Sequence, residues 1–157
     1  MKRLDPVDPA KALGILNKVL FFDEFSQAEK EILTGFHSHF FVAAEGEVII
    51  RESNDDLSSY ILLTGSVQVR KSGADKPLAR LGPGSLFGEI SFLTERKRTT
   101  SVIAETTVIL FELDRPTLKY LNPPIREKLK DNIIRVLVTR LDEMNQRLIS
   151  LQGSGYS

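Results

Sequence analysis

Apolar residues follow helical spacing at the start of the chain. Between residues 9 and 20 they recur with the period of an amphipathic helix, at Ala12, Leu13, Leu16, Val19 and Leu20. Asp8 suits the cap of that helix and Pro9 its first position. A second short helix is predicted over residues 26 to 35, because Ser26 is followed three residues later by Glu29, which forms a capping box.

From residue 36 to residue 114 the pattern changes to short runs of β-branched and aromatic residues, separated by Gly, Asp or Pro. These runs predict strands at 40–42, 47–51, 60–64, 66–71, 78–81, 99–104 and 107–113. Gly65 and Gly73 lie in short connections, where hairpin turns need a positive φ. Many short strands at regular spacing predict a barrel or a sandwich.

The last part of the chain is helical again. Asp114 is a plausible cap for a short helix that stops before Pro123, and a long helix is predicted from about residue 124 to residue 151. Its apolar residues have heptad spacing: Leu137, Leu141, Met144, Leu148 and Leu151. Such a seam requires a partner. The partner is either the chain's own barrel or the same helix of a second subunit, which would give a homodimer through residues 125–151.

Composition narrows the class of protein. The 157 residues suit a single domain over 1–157, with N-terminal helices at 1–35, a β-barrel at 36–114 and C-terminal helices at 115–151. Lys+Arg and Asp+Glu both number 21, so no net field attracts nucleic acid or a membrane. The absence of Cys excludes disulfides and thiolate chemistry. No segment predicts a signal peptide or a membrane span, which favours a cytoplasmic location.

The strand pattern is interrupted between Gly84 and Thr99, and this interruption carries the candidate binding chemistry. Gly88 would let backbone N–H groups approach an anion, and a helical turn starting near Glu89 would direct its first amides at the same place. Arg98 adds a permanent charge whose planar fork matches two phosphate oxygens. Glu89 would repel a phosphate, so its natural partner is a hydroxyl such as a ribose 2′-OH. The loop therefore predicts a sugar-phosphate site.

The order Phe87-Gly88-Glu89, eight further residues and then Arg98-Thr99-Thr100 resembles the phosphate-binding cassette of the cyclic nucleotide-binding domain family. Catabolite activator proteins, regulatory subunits of cyclic-AMP-dependent kinase and cyclic-nucleotide-gated channels carry this domain. The resemblance covers roughly residues 16 to 150. It implies a mainly β fold with flanking helices, namely a double-stranded β-helix (jelly-roll) barrel with the cassette at 84–100 and a long C-terminal helix.

The same resemblance implies a ligand-responsive regulatory domain that binds a 3′,5′-cyclic nucleotide. Cyclic AMP is the expected ligand, and Thr99 leaves cyclic GMP open because a hydroxyl residue after the arginine is associated with cyclic GMP in this family. The implied ligand-binding residues are Gly88, Glu89, Ile90, Ser91, Arg98, Thr99 and Thr100. Neither a metal nor a cofactor is implied. The effector would be another, unidentified protein, or the chain would be a piece of a larger protein.

In this family the long helix responds to the ligand. A side chain on it is therefore expected to meet the base, and the sequence offers Arg135, Arg140, Asp142, Asn145 and Gln146 without a choice among them. The alternative hypothesis is a degenerate relative that binds no nucleotide and acts as a dimerisation or docking module.

One segment departs from the family pattern. Where the family has R-E-G-D after the first strand, this chain has Arg51-Glu52-Ser53-Asn54-Asp55-Asp56. Asn54 or an Asp is expected to take the positive-φ position, in a surface loop without direct consequence for the pocket.

The remaining candidates for chemistry are weaker. His37 and His39 are two residues apart, but no third metal ligand is evident, so both are interpreted as surface or packing residues. No nucleophile–base pair and no paired carboxylates suited to acid–base catalysis are found. The sequence thus predicts a binding protein and not an enzyme.

Overall fold

The computed structural model describes residues 1–4, 8–35 and 39–154. The strands in these ranges form two antiparallel sheets. In chain order they are β1 (Lys2–Arg3), β2 (Phe40–Ala43), β3 (Val48–Ile50), β4 (Ser59–Thr64), β5 (Val67–Arg70), β6 (Ala79–Leu81), β7 (Leu86–Phe87), β8 (Ser101–Ala104) and β9 (Val108–Leu113).

One sheet has five strands in the order β1-β2-β9-β4-β7, and the other has four in the order β3-β8-β5-β6. Each order has two ends among the described strands, and the two facing sheets form the jelly-roll fold that the sequence predicted. β6 and β7 follow each other in sequence yet lie at the edges of different sheets. The Gly82-Pro83-Gly84 turn therefore carries the chain from one sheet to the other.

The five-stranded sheet is buried on both faces. Ile61 and Leu63 of β4 point into a core shared with the helices, and Tyr60 and Leu62 point into a second core shared with the four-stranded sheet. This double burial explains why β4 is a continuous apolar run, since alternation is lost when both faces of a strand are covered. The result is three layers: helices, five-stranded sheet and four-stranded sheet.

The helices are α1 (Pro9–Asn17), α2 (Gln27–Thr34), α3 (Glu89–Thr94), α4 (Arg115–Tyr120) and α5 (Pro123–Ser154), with a 3-10 turn at Leu20–Phe22. The three predicted caps are confirmed. Asp8 accepts from the Ala10 N–H, Asp114 accepts from the Thr117 N–H at 2.7 Å, and Ser26 and Glu29 form both bonds of the capping box. The first helix ends at Asn17, three residues before the predicted end, and the 3-10 turn begins at Leu20.

Two differences concern short elements. β1 and β7 were not predicted, because two-residue strands show no periodicity and form only by pairing with β2 and β4. The positive-φ residue of the loop after β3 is Ser53, at φ 72°, and not Asn54 or an Asp.

The apolar residues of α5 divide into two groups, and the predicted heptad seam from Leu137 to Leu151 lies mostly in the second. Ile125, Leu129 and Ile133 are buried against the chain's own core, and Leu137 is partly buried there. Beyond them the apolar side chains are more than half exposed: Leu141, Met144, Leu148 and Leu151. The chain's own sandwich therefore occupies the first half of the helix only. Within the described residues, no helix combines the length and apolar character that crossing a membrane requires.

Candidate ligand-binding site

A cavity of about 280 Å³ lies where the β7–α3 turn faces the four-stranded sheet. All seven residues singled out in the sequence line it: Gly88, Glu89, Ile90, Ser91, Arg98, Thr99 and Thr100. Its volume lies just below the range for small-molecule pockets, which is roughly 300–1,000 Å³. The fold thus brings both ends of the interrupted segment to one concave site.

Gly88 makes the turn into α3 possible. It is the N-cap residue and has φ 77°, a left-handed conformation that side chains disfavour. A Cβ atom there would lie 2.9 Å from the Ser58 carbonyl oxygen, 2.9 Å from the Ile50 Cδ1 and 3.0 Å from the Arg98 Nη1. Glycine is therefore required both by the backbone conformation and by the close packing around it.

Arg98 is buried, with its side chain only 2% exposed. Its Nη1 donates to the Gly88 carbonyl at 3.0 Å, and its Nη2 donates to Asp56 Oδ2 at 2.7 Å and also to the Ser58 carbonyl. Its Nε lies 3.3 Å from the same Asp56 oxygen. Because a guanidinium has five N–H donors, these bonds engage most of the fork and fix its position at the cavity wall.

The loop after β3 therefore bears directly on the pocket, and the expectation of a surface loop without consequence was wrong. Backbone bonds join it to the cassette, with the Arg98 N–H donating to the Asn54 carbonyl and the Ser53 N–H donating to the Arg98 carbonyl, both at 2.8 Å. Asp56 then supplies the carboxylate that orients Arg98. Sequence inspection treated the segment as a redrawn turn, because its contacts to residue 98 cross more than 40 positions.

Glu89 is also buried, but its partner comes from the long helix. Its Oε1 accepts from Nη1 of Arg140 at 2.5 Å, and Nη2 of Arg140 donates to the Leu86 carbonyl. Of the five helix residues that the sequence offered, only Arg140 is among the residues that line this cavity. Arg135 pairs instead with Glu24.

The cavity wall combines charged and apolar side chains. Glu89, Arg98 and Arg140 line the cavity and Asp56 pairs with Arg98 at 2.7 Å, so two positive and two negative side chains balance. The apolar lining residues are Ile50, Val69, Ala79, Leu81, Phe87 and Val102. The cavity thus offers both ionic contacts and apolar surface.

The sequence pattern of the cyclic nucleotide-binding domain matches residues 41–121, which is more than half of the chain and includes the whole cassette. The chain belongs to the cyclic nucleotide-binding domain family. The fold agrees, since the Thermus thermophilus catabolite activator protein superimposes with a TM-score of 0.71 and 28% identity, over 84% of this chain and 62% of that one.

Two curated relatives of this cyclic nucleotide-binding domain are regulators. The cAMP-dependent protein kinase regulatory subunit of Pyricularia oryzae is 27% identical over 64% of this chain and 26% of its own length. The CRP-like cAMP-activated global transcriptional regulator of Mycobacterium tuberculosis is 28% identical over 68% of this chain and 48% of its own length. The chain thus spans between a quarter and a half of these relatives, whose names describe regulation and not catalysis.

Proposed function

We propose that this domain binds a 3′,5′-cyclic nucleotide, with cyclic AMP as the preferred ligand, and that it acts as a regulatory sensor through α5. The observation that carries the proposal is the cavity that all seven cassette residues, including Arg98, line together with Arg140. A cyclic phosphodiester carries one negative charge, and Arg98 is the lining cation that would bind it. The regulatory relatives support the same conclusion.

The phosphate would lie against the first turn of α3. The first amides of a helix have no intrahelical acceptor, and they carry the positive end of the helix dipole. Arg98 borders the same space. A phosphate oxygen would accept from a guanidinium N–H that has no other partner, or it would compete with Asp56 for the N–H donors that Asp56 now engages. Thr99 and Thr100 add hydroxyl donors at the same end.

The ribose would then lie at Glu89, and the base would pack on the apolar side of the cavity. A carboxylate accepts a hydrogen bond from a 2′-OH without the repulsion that it would meet at the phosphate. Because Thr99 carries a hydroxyl, a guanine base is a second candidate. Cyclic GMP is therefore included in every binding experiment.

The function is tested by calorimetric titration of the wild-type domain and of Glu89→Ala with cyclic AMP and with 2′-deoxy cyclic AMP. For about 22 heavy atoms at roughly 0.3–0.4 kcal/mol each, micromolar affinity is expected in the wild type. A hydrogen bond to a charged group contributes about 1.5–3 kcal/mol, so removal of either partner should weaken binding by roughly 10- to 100-fold. Removal of both the Glu89 carboxylate and the 2′-OH should weaken binding little more than removal of either one alone.

If the losses from the protein substitution and from the 2′-deoxy ligand add up, Glu89 does not hold the ribose. Titration with 5′-AMP is the control that tests whether binding requires the intact cyclic phosphate. If the folded wild-type domain binds neither cyclic AMP nor cyclic GMP, the function is wrong. The degenerate docking module then becomes the better interpretation.

Arg140 gives the proposed sensor a physical link to α5. Ligand can move the helix only if it binds one arrangement better than another. The ribose hydroxyl and Arg140 need the same Glu89 carboxylate, whose Oε1 already accepts from Arg140. Nucleotide binding would therefore weaken the contact that joins the middle of α5 to the cavity.

We expect Arg140→Gln to bind cyclic AMP more tightly, because the ligand no longer competes with an ion pair. Partly exposed pairs contribute up to about 1 kcal/mol, which limits the gain to about fivefold. Hydrogen exchange of residues 136–144 should change on ligand binding in the wild type and much less in the variant. Arg147→Gln, on the same helix and outside the cavity, is the matched control. Weaker binding by Arg140→Gln, or an equal exchange response in both proteins, would reject the competition.

The homodimer stays a prediction, now restricted to the exposed half of the seam from Leu141 to Leu151. Sedimentation velocity at micromolar concentration measures it, and a purely monomeric chain would reject it. The cytoplasmic location and the unidentified effector protein also stay predictions.

A further inference from the structure

A second cluster of functional side chains lies away from the cavity, where β2 begins and β9 leads into α4. Nδ1 of His39 is 3.9 Å from Oε1 of Glu112 and 3.9 Å from Oδ2 of Asp114. The three ligand atoms all lie within 4.8 Å of one another. In the sequence, His39 had no evident third ligand, because the two carboxylates come from more than 70 residues further along the chain. His37 lies outside the described residues.

Two of the three side chains are held by a further hydrogen bond. The other nitrogen of His39, Nε2, lies 2.9 Å from Oγ1 of Thr117. The Thr117 N–H donates to Oδ1 of Asp114, which leaves Oδ2 toward the cluster. The side chain of Tyr60 faces Glu112. Partners that fix the ring orientation and the carboxylates in this way are a regular feature of metal sites in proteins.

The charges of the cluster favour a cation. Glu112 and Asp114 bring two carboxylates to the same place, and the Glu112 side chain is only 17% exposed. Two neighbouring carboxylates are stabilised by a positive ion placed between them.

We propose that His39, Glu112 and Asp114 bind a divalent transition-metal ion, for which Zn²⁺ is the probe. Zn²⁺ binds imidazole nitrogen and carboxylate oxygen, and zinc sites with an open position combine three protein ligands with a water molecule. Bonds of about 2.1 Å in a tetrahedron separate ligands by roughly 3.4 Å, so the 3.9 Å gaps need to close by about half an ångström. Mg²⁺ prefers oxygen ligands alone and should bind poorly.

Titration of the metal-free wild-type domain with ZnCl₂ in a calorimeter tests this proposal. One saturable site per chain is expected, reversible by a chelator and insensitive to excess Mg²⁺. His39→Ala should weaken Zn²⁺ binding by at least about tenfold. His37→Ala removes the only other histidine and should leave the affinity unchanged.

Two further variants guard against loss of fold. Asp114→Asn keeps a good helix cap and Glu112→Gln keeps an acceptor for Tyr60, yet each removes a charged ligand. Both should weaken Zn²⁺ binding while far-ultraviolet circular dichroism and the melting temperature without metal stay close to the wild type. The proposal is overturned if the wild type shows no saturable site, if His39→Ala binds as tightly as the wild type, or if His37→Ala loses the site equally.

Discussion

Gly88→Ala is expected to destabilise the domain by roughly 2–5 kcal/mol and to abolish measurable nucleotide binding. A side chain in the left-handed region costs about 1–2 kcal/mol, and overpacking of a buried site adds about 1–3 kcal/mol. The added methyl group would lie 2.9 Å from the Ser58 carbonyl and 3.0 Å from the Arg98 guanidinium. Relief of that contact must displace Arg98, so fold and site fail together. Urea denaturation and calorimetry with cyclic AMP measure the two effects.

Gly73→Ala is the matched control for this prediction. Gly73 has a similar φ of 84°, but a Cβ atom there would meet no heavy atom within 4 Å. Only the conformational cost of about 1–2 kcal/mol should remain, with nucleotide affinity unchanged. Equal destabilisation by the two substitutions would mean that the packing around Gly88 contributes nothing to stability. Wild-type affinity in Gly88→Ala would mean that nucleotide binding does not depend on Gly88.

Arg98→Ala should weaken cyclic AMP binding by roughly 10- to 100-fold, since a charge-assisted hydrogen bond contributes about 1.5–3 kcal/mol. The structure adds a second effect. The substitution leaves the carbonyls of Gly88 and Ser58 without their donor, and a carbonyl left unsatisfied away from water costs about 1–3 kcal/mol. Asp56 also loses its partner, but its side chain is 45% exposed and can bond to water. Reduced stability should therefore accompany reduced affinity, as measured by denaturation and calorimetry under conditions where the variant is folded.

Arg98→Lys separates charge from geometry. Lysine keeps the positive charge but loses the planar fork that reaches Asp56 and two carbonyls at once. It should recover only part of the affinity and little of the stability. Arg96→Ala, at an exposed residue of the same loop, should change neither quantity. Affinity in Arg98→Ala equal to that of the wild type would remove Arg98 from the phosphate site.

The sequence by itself determined the local structure and most of the candidate site. Helix caps at Asp8, Ser26 and Asp114 follow from neighbouring residues, because a cap bonds an amide two or three positions away. The main strands follow from short periodic runs between turns. The cassette could be read as one unit, since Gly88 and Arg98 are separated by a short segment of fixed length. The caps, the strands and the cassette each depend on residues that lie within about ten positions of one another in the sequence.

The tertiary structure decided which charges meet. Glu89 pairs with Arg140 across 51 positions and Arg98 with Asp56 across 42, and neither partner carries a local signal that selects it over similar residues nearby. His39 meets Glu112 and Asp114 only because β2 pairs with β9. The division of α5 into a packed half and an exposed half depends on where the sandwich ends. Such contacts are set by strand order and helix docking, which arise from packing of the whole core and not from the pattern of any one segment.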